Sequence, residues 1–413
     1  MALDPIQPTT YDVAAVRARY PALSGGEAFF DGPGGTQVPS AVVDAVAATL
    51  AGPISNRGPH SRPQRAAEEV VVACRTALGD LLGADPSGVV VGRSMTDLTY
   101  DVARTLARTW QAGDEVVVSR LDHDANVRPW VQAAEAVGAV VRWVDFDPGS
   151  GELEPDHLAA ALGPRTRLVA LTAASNVLGT RPDVPALTAL AHEAGALTYV
   201  DGVHHAAHVL PDVAALGADF YACSPYKFGG PHCGAVAADP ALLEELRPDK
   251  LLPSTDRVPE RFELGTLPYE LMAGVTAAVD VLASLDPAAA SDRRTALTGA
   301  YAAVEEHEDR LRARIEVALL ARPDVTLWSR AARRTSTLYF SLAGRAPAEV
   351  HAFLGERGVS ISSGHCYAWE PCRRLGLGET GAVRVGLAPY TDDGDVDRLL
   401  EGLEALAPHL GSD

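Results

Sequence analysis

The sequence predicts an α/β fold: a large domain with a mostly parallel seven-stranded sheet, followed by a smaller α+β domain. Two observations carry this prediction. Seven short apolar runs recur between residues 89 and 237, and most are continuous, as strands buried on both faces are. Several of these runs are separated by segments that are rich in Ala and Leu at helical spacing. These segments are 97–109, 125–137 and 183–194. This alternation is typical of a parallel sheet covered by helices.

The predicted strands of the large domain are runs of valine, leucine, alanine and aromatic residues. In chain order they are 89–91, 116–118, 140–144, 168–171, 197–200, 220–223 and 233–237.

The pattern changes after about residue 285. A long helical stretch over 292–320 leads to a final helix near 394–406, with strand-like segments between them at 325–328, 337–342, 359–362 and 383–387. We therefore place the large domain at 24–288 and the small α+β domain at 289–413. The N-terminal segment 1–23 is expected to pack on the small domain.

Composition limits the classes of function. A net charge of -19 and a pI near 5.0 oppose binding to nucleic acid, because phosphate backbones are bound by excess Lys and Arg. No apolar stretch approaches the length of a membrane span, and the N-terminus has no signal-peptide pattern. The five cysteines show neither zinc spacing nor the density of a disulfide scaffold. We expect a cytoplasmic protein that binds no membrane.

Polar residues directly follow most of the predicted strands. Because ligands bind beyond the carboxyl ends of the strands in an open α/β sheet, residues far apart in sequence are expected to meet in one crevice. They are Ser94, Met95 and Thr96 after the first strand, Asp122 and His123 after the second, Ser175 and Asn176 after the fourth, Asp201 at the fifth, and Ser224 and Lys227 after the sixth.

Lys227 is one of only two lysines in the chain, within Ser224-Pro225-Tyr226-Lys227-Phe228-Gly229-Gly230. Arginine occupies nearly every other basic position, but a guanidinium stays protonated, whereas a buried amine can lose its proton and attack a carbonyl to form an imine. Lys227 is therefore predicted to be a Schiff-base lysine. The other lysine, Lys250, lacks this setting and is predicted to lie at the surface.

A lysine imine, an aspartate at a strand end and a phosphate-binding turn together fit pyridoxal 5'-phosphate. The Asp201 carboxylate would keep the pyridine nitrogen protonated, which makes the ring an electron sink. The turn at Ser94, Met95 and Thr96 precedes a helix, whose free N–H groups suit a phosphate, with help from Ser224. Taken singly, the aspartate and the turn are equally compatible with helix caps.

Histidines occur at two of these strand ends. The His123 imidazole is placed to lie over the cofactor ring and to transfer protons, since its unperturbed pKa is near neutrality. A structural role is the alternative. The cluster of His204, His205 and His208 lacks a complementary set of carboxylates or thiolates, so no metal site is predicted.

Eight motifs together resemble those of the class V aminotransferase fold, the fold-type I pyridoxal phosphate enzymes, and most of all their cysteine desulfurase-like branch. The resemblance runs from about residue 11 to 405. Its motifs are Phe30-Asp31-Gly32-Pro33-Gly34-Gly35-Thr36, Arg57-Gly58-Pro59-His60, Asp122-His123-Asp124-Ala125-Asn126, Ser175-Asn176-Val177-Leu178-Gly179-Thr180, Val200-Asp201-Gly202, Ser224-Pro225-Tyr226-Lys227, Arg261-Phe262-Glu263-Leu264-Gly265-Thr266 and Arg384.

The resemblance implies a role for each matching residue. Lys227 would hold the cofactor, Asp201 would pair with its ring nitrogen, and His123 would stack on the ring. Asn176 would contact the cofactor or the substrate carboxylate, which Arg384 would bind through a bidentate fork. Further residues expected around the substrate are Gly34, Gly35, Arg57 and His60.

Other positions bear on assembly or depart from the family pattern. Thr266 is similar to a threonine that reaches the phosphate of the partner subunit, which implies a homodimer. His204 replaces a glutamine and is expected to hydrogen-bond the phenolic oxygen of the cofactor. Tyr226 replaces the histidine that precedes the lysine in the family. The closest desulfurases carry a mobile cysteine in an Arg-Thr-Gly-His-His-Cys pattern. Alignment on Gly364 places Cys366 one residue early and Tyr367 in the position of that cysteine.

These features predict an enzyme that cleaves the C–S bond of cysteine or an S-substituted cysteine. If Cys366 accepts the sulfur, the enzyme is a desulfurase that yields alanine. If Cys366 is structural, β-elimination yields pyruvate and ammonia. Transamination, epimerisation or decarboxylation-coupled deamination of another amino acid is the alternative, because one fold supports all of these. A cofactor-binding scaffold without turnover is a third hypothesis, which the complete set of site residues opposes.

Overall fold

The structure, a computed structural model, describes residues 11–286 and 290–406. Its strands are β1 (Ala28–Phe29), β2 (Val89–Gly92), β3 (Glu115–Ser119), β4 (Val140–Val144), β5 (Thr166–Thr172), β6 (Leu197–Asp201), β7 (Phe220–Cys223), β8 (Gly234–Ala238), β9 (Val325–Leu327), β10 (Leu338–Leu342), β11 (Val359–Ser360), β12 (Ser362–Gly364) and β13 (Ala382–Val385).

The helices of the same residues are α1 (Val13–Arg17), α2 (Ser40–Ala51), α3 (Arg62–Leu82), α4 (Met95–Ala107), α5 (Arg128–Val137), α6 (Pro155–Ala159), α7 (Val184–Glu193), α8 (His205–His208), α9 (Val213–Leu216), α10 (Pro240–Glu245), α11 (Tyr269–Ala283), α12 (Arg293–Leu320), α13 (Pro347–Gly355), α14 (Trp369–Arg374) and α15 (Asp393–Ala405). None of these helices has both the length and the apolar character needed to cross a membrane.

Seven strands form the central sheet, in the order β2-β8-β7-β6-β5-β3-β4. Strands β3 to β7 pair in parallel, and β8 alone is antiparallel to both of its neighbours. Only residues 224–233 separate β7 from β8, which is too short for a parallel crossover. The predicted mostly parallel seven-stranded sheet is confirmed. The ends of β2, β3, β5, β6 and β7 consequently share one edge with the start of β8.

Two apolar layers enclose this sheet. One packs α4 and α5 against one face through residues such as Leu98 and Trp130. The other covers the opposite face and includes residues of α3, α7 and α11. Helices α4, α5 and α7 were predicted to within a few residues, but α2, α3 and α11 were not predicted. Helix α11, which follows the sheet in the sequence, packs on both α2 and α3, which precede it.

A second, four-stranded antiparallel sheet forms the smaller unit, in the order β12-β13-β10-β9. The predicted strand at 359–362 is in fact two strands. Ala28 of β1 pairs with Val359 of β11, whereas Ser362 of β12 pairs with Arg384 of β13. The chain therefore changes partner at this point, which brings β12 and the loop after it to the edge of the central sheet.

Residues 11–23 contact the C-terminal part of the chain. The Tyr11 hydroxyl donates to the Pro389 carbonyl oxygen at 2.7 Å, and Arg17 pairs with Asp395 at 2.5 Å. The rest of the predicted N-terminal segment, residues 1–10, lies outside the described residues. So do residues 287–289, where we predicted the domain boundary, and residues 407–413.

Candidate active site

A cavity of about 690 Å³ lies at the edge where the strands of the central sheet end. The structure brings to it most of the residues that the sequence selected, from five strand ends and from the smaller unit. They are Gly34, Ser94, Met95, Thr96, His123, Asn176, Asp201, His204, Ser224, Tyr226, Lys227, Cys366 and Arg384.

Besides Asp122 and Ser175, which are buried outside it, four predicted residues do not line this cavity. Gly35 lies just behind it, where an added Cβ would stand 3.3 Å from the Tyr226 ring. Arg57 differs from our expectation because its guanidinium is paired with Glu68 at 2.8 Å and with Glu260 at 3.1 Å. The other two, His60 and Thr266, are exposed to solvent away from the cavity of their own chain.

The Lys227 amine lies inside the cavity, on the turn between β7 and β8. It donates hydrogen bonds to the carbonyl oxygens of Pro33 and Gly34, the latter at 3.1 Å. Burial and then the charge of Arg384 lower the pKa of Lys227 to about 7, although Asp201 opposes the shift. A substantial fraction of the amine is thus neutral near physiological pH, as a nucleophilic lysine requires.

Asp201 ends β6 and is 4 % exposed. One carboxylate oxygen accepts the Val203 N–H at 2.9 Å, and no described residue donates to the other. Burial raises the pKa of Asp201 to about 6, against the opposing effects of that hydrogen bond and of Lys227. A cationic ring nitrogen bound here would restore the carboxylate, because an opposite charge favours the ionised form.

His123 follows β3 and also lines the cavity. Its Nδ1 accepts the Ala125 N–H at 3.1 Å, so the proton of the neutral ring is on Nε2. Burial, followed by the charges of Lys227 and Arg384, lowers the pKa of His123 to about 3. The ring is therefore uncharged at neutral pH, which suits stacking. This differs from the near-neutral pKa that the sequence led us to expect.

A buried hydrogen-bond network holds the His123 turn in place. Asp122 accepts the Asn126 side-chain amide at 2.6 Å and the Thr172 N–H at 3.1 Å. Asn126 in turn accepts the Trp130 indole N–H at 2.9 Å. Burial raises the pKa of Asp122 well above its usual range. These contacts join the ends of β3 and β5 and fix the direction of the turn.

The three histidines after β6 have separate partners. His204 contacts the hydroxyl oxygens of Thr335 at 3.1 Å and Thr337 at 3.0 Å through Nε2, while its buried Nδ1 has no partner among the described residues. His205 bonds to Tyr221 and His208 to Glu308. Only His204 lines the cavity. No group of three potential metal-ligating residues occurs within 11–286 and 290–406.

The N-terminus of α4 borders another part of the cavity. The Ser94 hydroxyl caps the helix by accepting the Asp97 N–H at 3.1 Å, which leaves the Met95 and Thr96 N–H groups for an anion. Gly234 makes this turn possible, because a Cβ there would lie 2.2 Å from the Met95 nitrogen. The Ser224 hydroxyl also lines the cavity and bonds to no described residue.

Arg384 lies on β13 and is 4 % exposed. Its guanidinium donates to the Asn176 carbonyl oxygen at 3.1 Å and to the Ser362 hydroxyl at 3.2 Å, while Nε has no partner. No carboxylate of the described chain pairs with it. A buried cation without a counter-ion is costly, so this position is suited to a carboxylate ligand. The neighbouring Asn176 Oδ1 is also buried without a partner.

Tyr226 and Cys366 complete the set of predicted cavity residues. The Tyr226 ring stacks on His232, with centroids 4.8 Å apart, and its centroid lies 4.9 Å from the Lys227 amine. Cys366 is half-buried, and its carbonyl oxygen accepts the Asn176 amide at 2.9 Å. Cys366 lines the cavity from the segment between β12 and α14, and its Sγ lies 3.8 Å from the Gly364 carbonyl oxygen.

The cavity also includes residues that the sequence analysis missed. Two sets follow at intervals of four residues, the spacing of one helix face, from the predicted site residue Thr96 and from Asp124 of the Asp122–Asn126 motif, and this spacing was a usable signal. One is Tyr100 after Thr96, and the other is Arg128 and Gln132 after Asp124. Tyr367 also lines the cavity, although its side chain is 69 % exposed, so it stands at the mouth.

Comparison with known proteins agrees with this site. Residues 28–399 match the family model of class-V aminotransferases. The chain is 33% identical over 406 residues to a probable cysteine desulfurase of Pseudomonas aeruginosa, covering 94% of this chain and 96% of that protein. It is 30% identical over 419 residues to the aminotransferase-like protein FGM3 of Gibberella zeae, covering 96% and 98% respectively.

A solved structure gives the same result in three dimensions. The cysteine desulfurase CsdA of Escherichia coli, in an S-sulfonic acid form, superposes with a TM-score of 0.84 at 28% identity, covering 96% of this chain and 98% of CsdA. The chain is therefore an enzyme of the class-V aminotransferase family and belongs to its cysteine desulfurase-like branch.

Proposed function

We propose that this enzyme uses pyridoxal 5'-phosphate to cleave the C–S bond of cysteine or of an S-substituted cysteine. The observation that carries the proposal is one cavity that contains a partly neutral lysine amine, a buried aspartate and a buried arginine without a counter-ion. These are the groups needed to hold an aldehyde cofactor and the carboxylate of an amino acid.

The unpaired groups of the cavity fit this cofactor. Lys227 would bind its aldehyde carbon, and Asp201 its ring nitrogen. The unpartnered Nδ1 of His204 is available to the phenolic oxygen, and the free N–H groups at Met95 and Thr96, with the Ser224 hydroxyl, are available to the phosphate. When bound, the cofactor supplies a sink for the electron pair at the substrate Cα.

The remaining steps belong to residues of the chain. Arg384 binds the substrate carboxylate, with the Nε proton as a free donor and Asn176 Oδ1 as an adjacent acceptor for an N–H or hydroxyl group. His123 covers the cavity as a neutral ring. The neutral Lys227 Nζ would accept the Cα proton, which its pKa of about 7 permits near neutral pH.

We favour direct β-elimination as the fate of the sulfur. In that reaction the C–S bond breaks with its electron pair on sulfur, a proton is added to the thiolate, and hydrolysis of the remaining three-carbon fragment gives pyruvate and ammonia. Tyr367 stands in the position of the nucleophilic cysteine of the desulfurase pattern, and its hydroxyl cannot carry a sulfur atom as a persulfide. Transfer to Cys366 is the competing route, because this cysteine also lines the cavity.

Aminotransfer is the second candidate function. It needs the same Lys227, Asp201 and Arg384 but no sulfur acceptor, so Tyr367 is compatible with it. The name of the relative FGM3, an aminotransferase-like protein, also supports it.

The proposal includes a homodimer in which Thr266 reaches the phosphate site of the partner. Thr266 is exposed, and two apolar side chains of the same region are also exposed, Leu252 at 97 % and Leu264 at 61 %. Such a surface is typical of an interface. Sedimentation of the loaded protein as a monomer would contradict this part of the proposal.

The experiment is an assay of the cofactor-loaded enzyme with cysteine, S-alkyl cysteines and pairs of amino donors and keto-acid acceptors. Pyruvate with sulfide or a thiol is the expected result. Exchange of amino groups without either product would instead establish aminotransfer. Lys227→Ala should lose all turnover in either case, and Lys250→Ala, altered outside the cavity, is its matched control.

A further inference from the structure

The loop of residues 365–368, here called the site loop, forms part of the cavity wall and has an unusual backbone. Its residues Cys366 and Tyr367 have φ angles of 48° and 58°, in the left-handed region. This region is unfavourable for residues other than glycine, because the Cβ comes too close to the backbone. Two in succession persist only if surrounding contacts impose this conformation.

Hydrogen bonds from the large unit and from β10 hold both sides of the site loop. The Cys366 carbonyl oxygen accepts the Asn176 amide at 2.9 Å, and the Tyr367 carbonyl oxygen accepts the Asp124 N–H at 2.8 Å. Before the loop, the Gly364 carbonyl oxygen accepts the Tyr339 hydroxyl at 2.7 Å. The Asp124 N–H, next to His123, and the Asn176 amide thus connect the loop to the site itself.

Glu370, at the start of α14, provides an ionic contact that also joins the site loop to the large unit. Its carboxylate is only 3 % exposed and bonds to Arg120 at 2.6 Å and to Arg128 at 2.8 Å. Arg120 follows β3, and Arg128 begins α5, so these two arginines lie on either side of the His123 turn. Glu370 therefore connects the end of the site loop to the segment that carries His123.

The burial of Glu370 makes this contact strong. An exposed ion pair contributes little to stability, but removal of one charge from a buried, hydrogen-bonded pair costs far more. The two arginines also have other carboxylate partners, since Arg120 forms an ion pair with Asp145 at 2.9 Å and Arg128 forms one with Asp124 at 2.9 Å. Loss of the Glu370 charge would therefore release the loop without leaving either guanidinium unpaired.

We propose that Glu370 is a positioning residue, which holds the site loop so that Cys366 and Tyr367 close the cavity over His123. The Tyr367 ring lies 5.5 Å from the His123 ring, between the cavity and a second pocket that is lined by His365, Trp369 and Arg373. Loss of the Glu370 contact would join these two spaces. This last step rests on the proposed function: the cavity wall that the site loop forms restricts the size of the group on the substrate sulfur.

Thiol labelling tests the loop conformation without any assay of turnover. Cys366 is half-buried, and the other four cysteines are buried, so a maleimide should label the folded protein at Cys366. The labelled residue is identified by peptide mass spectrometry, with Cys366→Ser as the blank. In Glu370→Gln we expect labelling about tenfold faster, which corresponds to about 1.4 kcal/mol of loop destabilisation.

The matched control is Glu316→Gln. Glu316 also bridges two arginines, Arg312 at 2.9 Å and Arg334, but it lies on α12 away from the site loop. Cys366 of the Glu316→Gln variant should be labelled at the wild-type rate. Should Glu370→Gln not fold, Glu370→Asp keeps the charge on a shorter side chain and should give a smaller increase. Rates within about twofold of the wild type in the folded Glu370 variant would overturn the proposal, since that is under 0.5 kcal/mol.

A second measurement separates this inference from the proposed function. Glu370→Gln should lower KM for cysteines with bulky sulfur substituents relative to cysteine, because the wall is no longer fixed. If labelling accelerates but no sulfur-containing amino acid is cleaved by the wild type, the positioning role stands and the proposed function fails. If the wild type cleaves such amino acids but labelling of the variant is unchanged, the proposed function stands and the positioning role fails.

Discussion

The Lys227 amine shares its cavity with the Arg384 guanidinium, and that charge, second only to burial, lowers the pKa of the amine to about 7. The arginine consequently has two effects. It provides a binding group for a carboxylate, and it keeps the lysine partly neutral before any ligand binds. An uncharged residue at position 384 would remove both.

We predict that Arg384→Gln raises the pKa of Lys227 toward the ordinary value of 10.5. Fewer amines would be neutral at pH 7, so imine formation with pyridoxal phosphate would require a higher pH. The measurement adds pyridoxal phosphate to cofactor-free protein at a series of pH values and determines the pH at which the imine absorbance is half-maximal. Arg57→Gln, which removes an arginine outside the cavity, is the control. An unchanged midpoint in Arg384→Gln would show that burial alone sets the shift.

Lys227 should also make stability depend on pH. Its pKa is lower in the folded protein than in the unfolded chain, so the unfolded state binds more protons between about pH 7 and 10.5. The resulting cost to folding is complete below pH 7 and disappears as the pH rises through 10.5. Lys227→Met should therefore stabilise cofactor-free protein most at about pH 6, and the gain should shrink at about pH 9.5. Urea unfolding of wild type and variant at these two pH values measures the gain in unfolding free energy. A gain that is the same at both would contradict the prediction.

Gly234→Ala should weaken cofactor binding. The added Cβ would meet the Met95 nitrogen and the Ser94 carbonyl carbon at 2.2 and 2.3 Å, so the turn that offers N–H groups to the phosphate must move. We expect at least about a tenfold loss of affinity for pyridoxal phosphate, or about 1.4 kcal/mol, as for overpacked sites. Fluorescence titration of cofactor-free protein gives the value. Gly355→Ala, where nothing lies within 4 Å of the new Cβ, should bind like the wild type.

Cys366→Ala should retain C–S cleavage. Elimination depends on Lys227 and Arg384, whereas only sulfur transfer needs a thiol at the cavity. We expect pyruvate and thiol release from S-substituted cysteines within about threefold of the wild-type rate, a change of under 1 kcal/mol. Complete loss of sulfide release from cysteine, with alanine as the wild-type product, would instead establish Cys366 as the sulfur acceptor.

Much of the cavity could be predicted because it depends on local features of the sequence. Apolar runs end in polar residues, and parallel strands bring those ends together, so Lys227 and Asp201 could be paired without coordinates. The reversed β8 was not predicted, although the short connection after Lys227 favours it. The alternative pairing of 359–364 was not predictable, because β11 and β12 pair with strands distant in sequence.

Residues that act through tertiary contacts were missed altogether. Glu370 is 250 positions from Arg120 and 242 from Arg128, and nothing in the local sequence distinguishes it from a surface glutamate. Arg57 shows the converse problem. Its motif resembles a binding element, yet Glu68 and Glu260 pair with its charge in the folded chain.

The two buried aspartates at strand ends, Asp201 and Asp122, should respond differently to the same substitution. Asp201→Asn replaces a carboxylate that faces the cavity with an amide of similar shape, which cannot hold a ring nitrogen protonated. Turnover should fall by about 100-fold or more, the usual size of a lost charge contact with a transition state. The absorbance of bound cofactor should persist, because Lys227 remains.

Asp122→Asn is the matched control. Asp122 is fully buried and binds Asn126 and the Thr172 N–H, but it does not line the cavity. Both carboxylate oxygens accept a hydrogen bond, whereas an amide has only one acceptor oxygen, so unfolding should require about 1–3 kcal/mol less free energy than in the wild type. Because Asp122 acts on the site only by holding the His123 turn, the turnover of the folded variant should fall by far less than in Asp201→Asn. Equal losses of turnover in the two variants would mean that Asp201 acts only through the fold, and its pairing with the ring nitrogen would have to be abandoned.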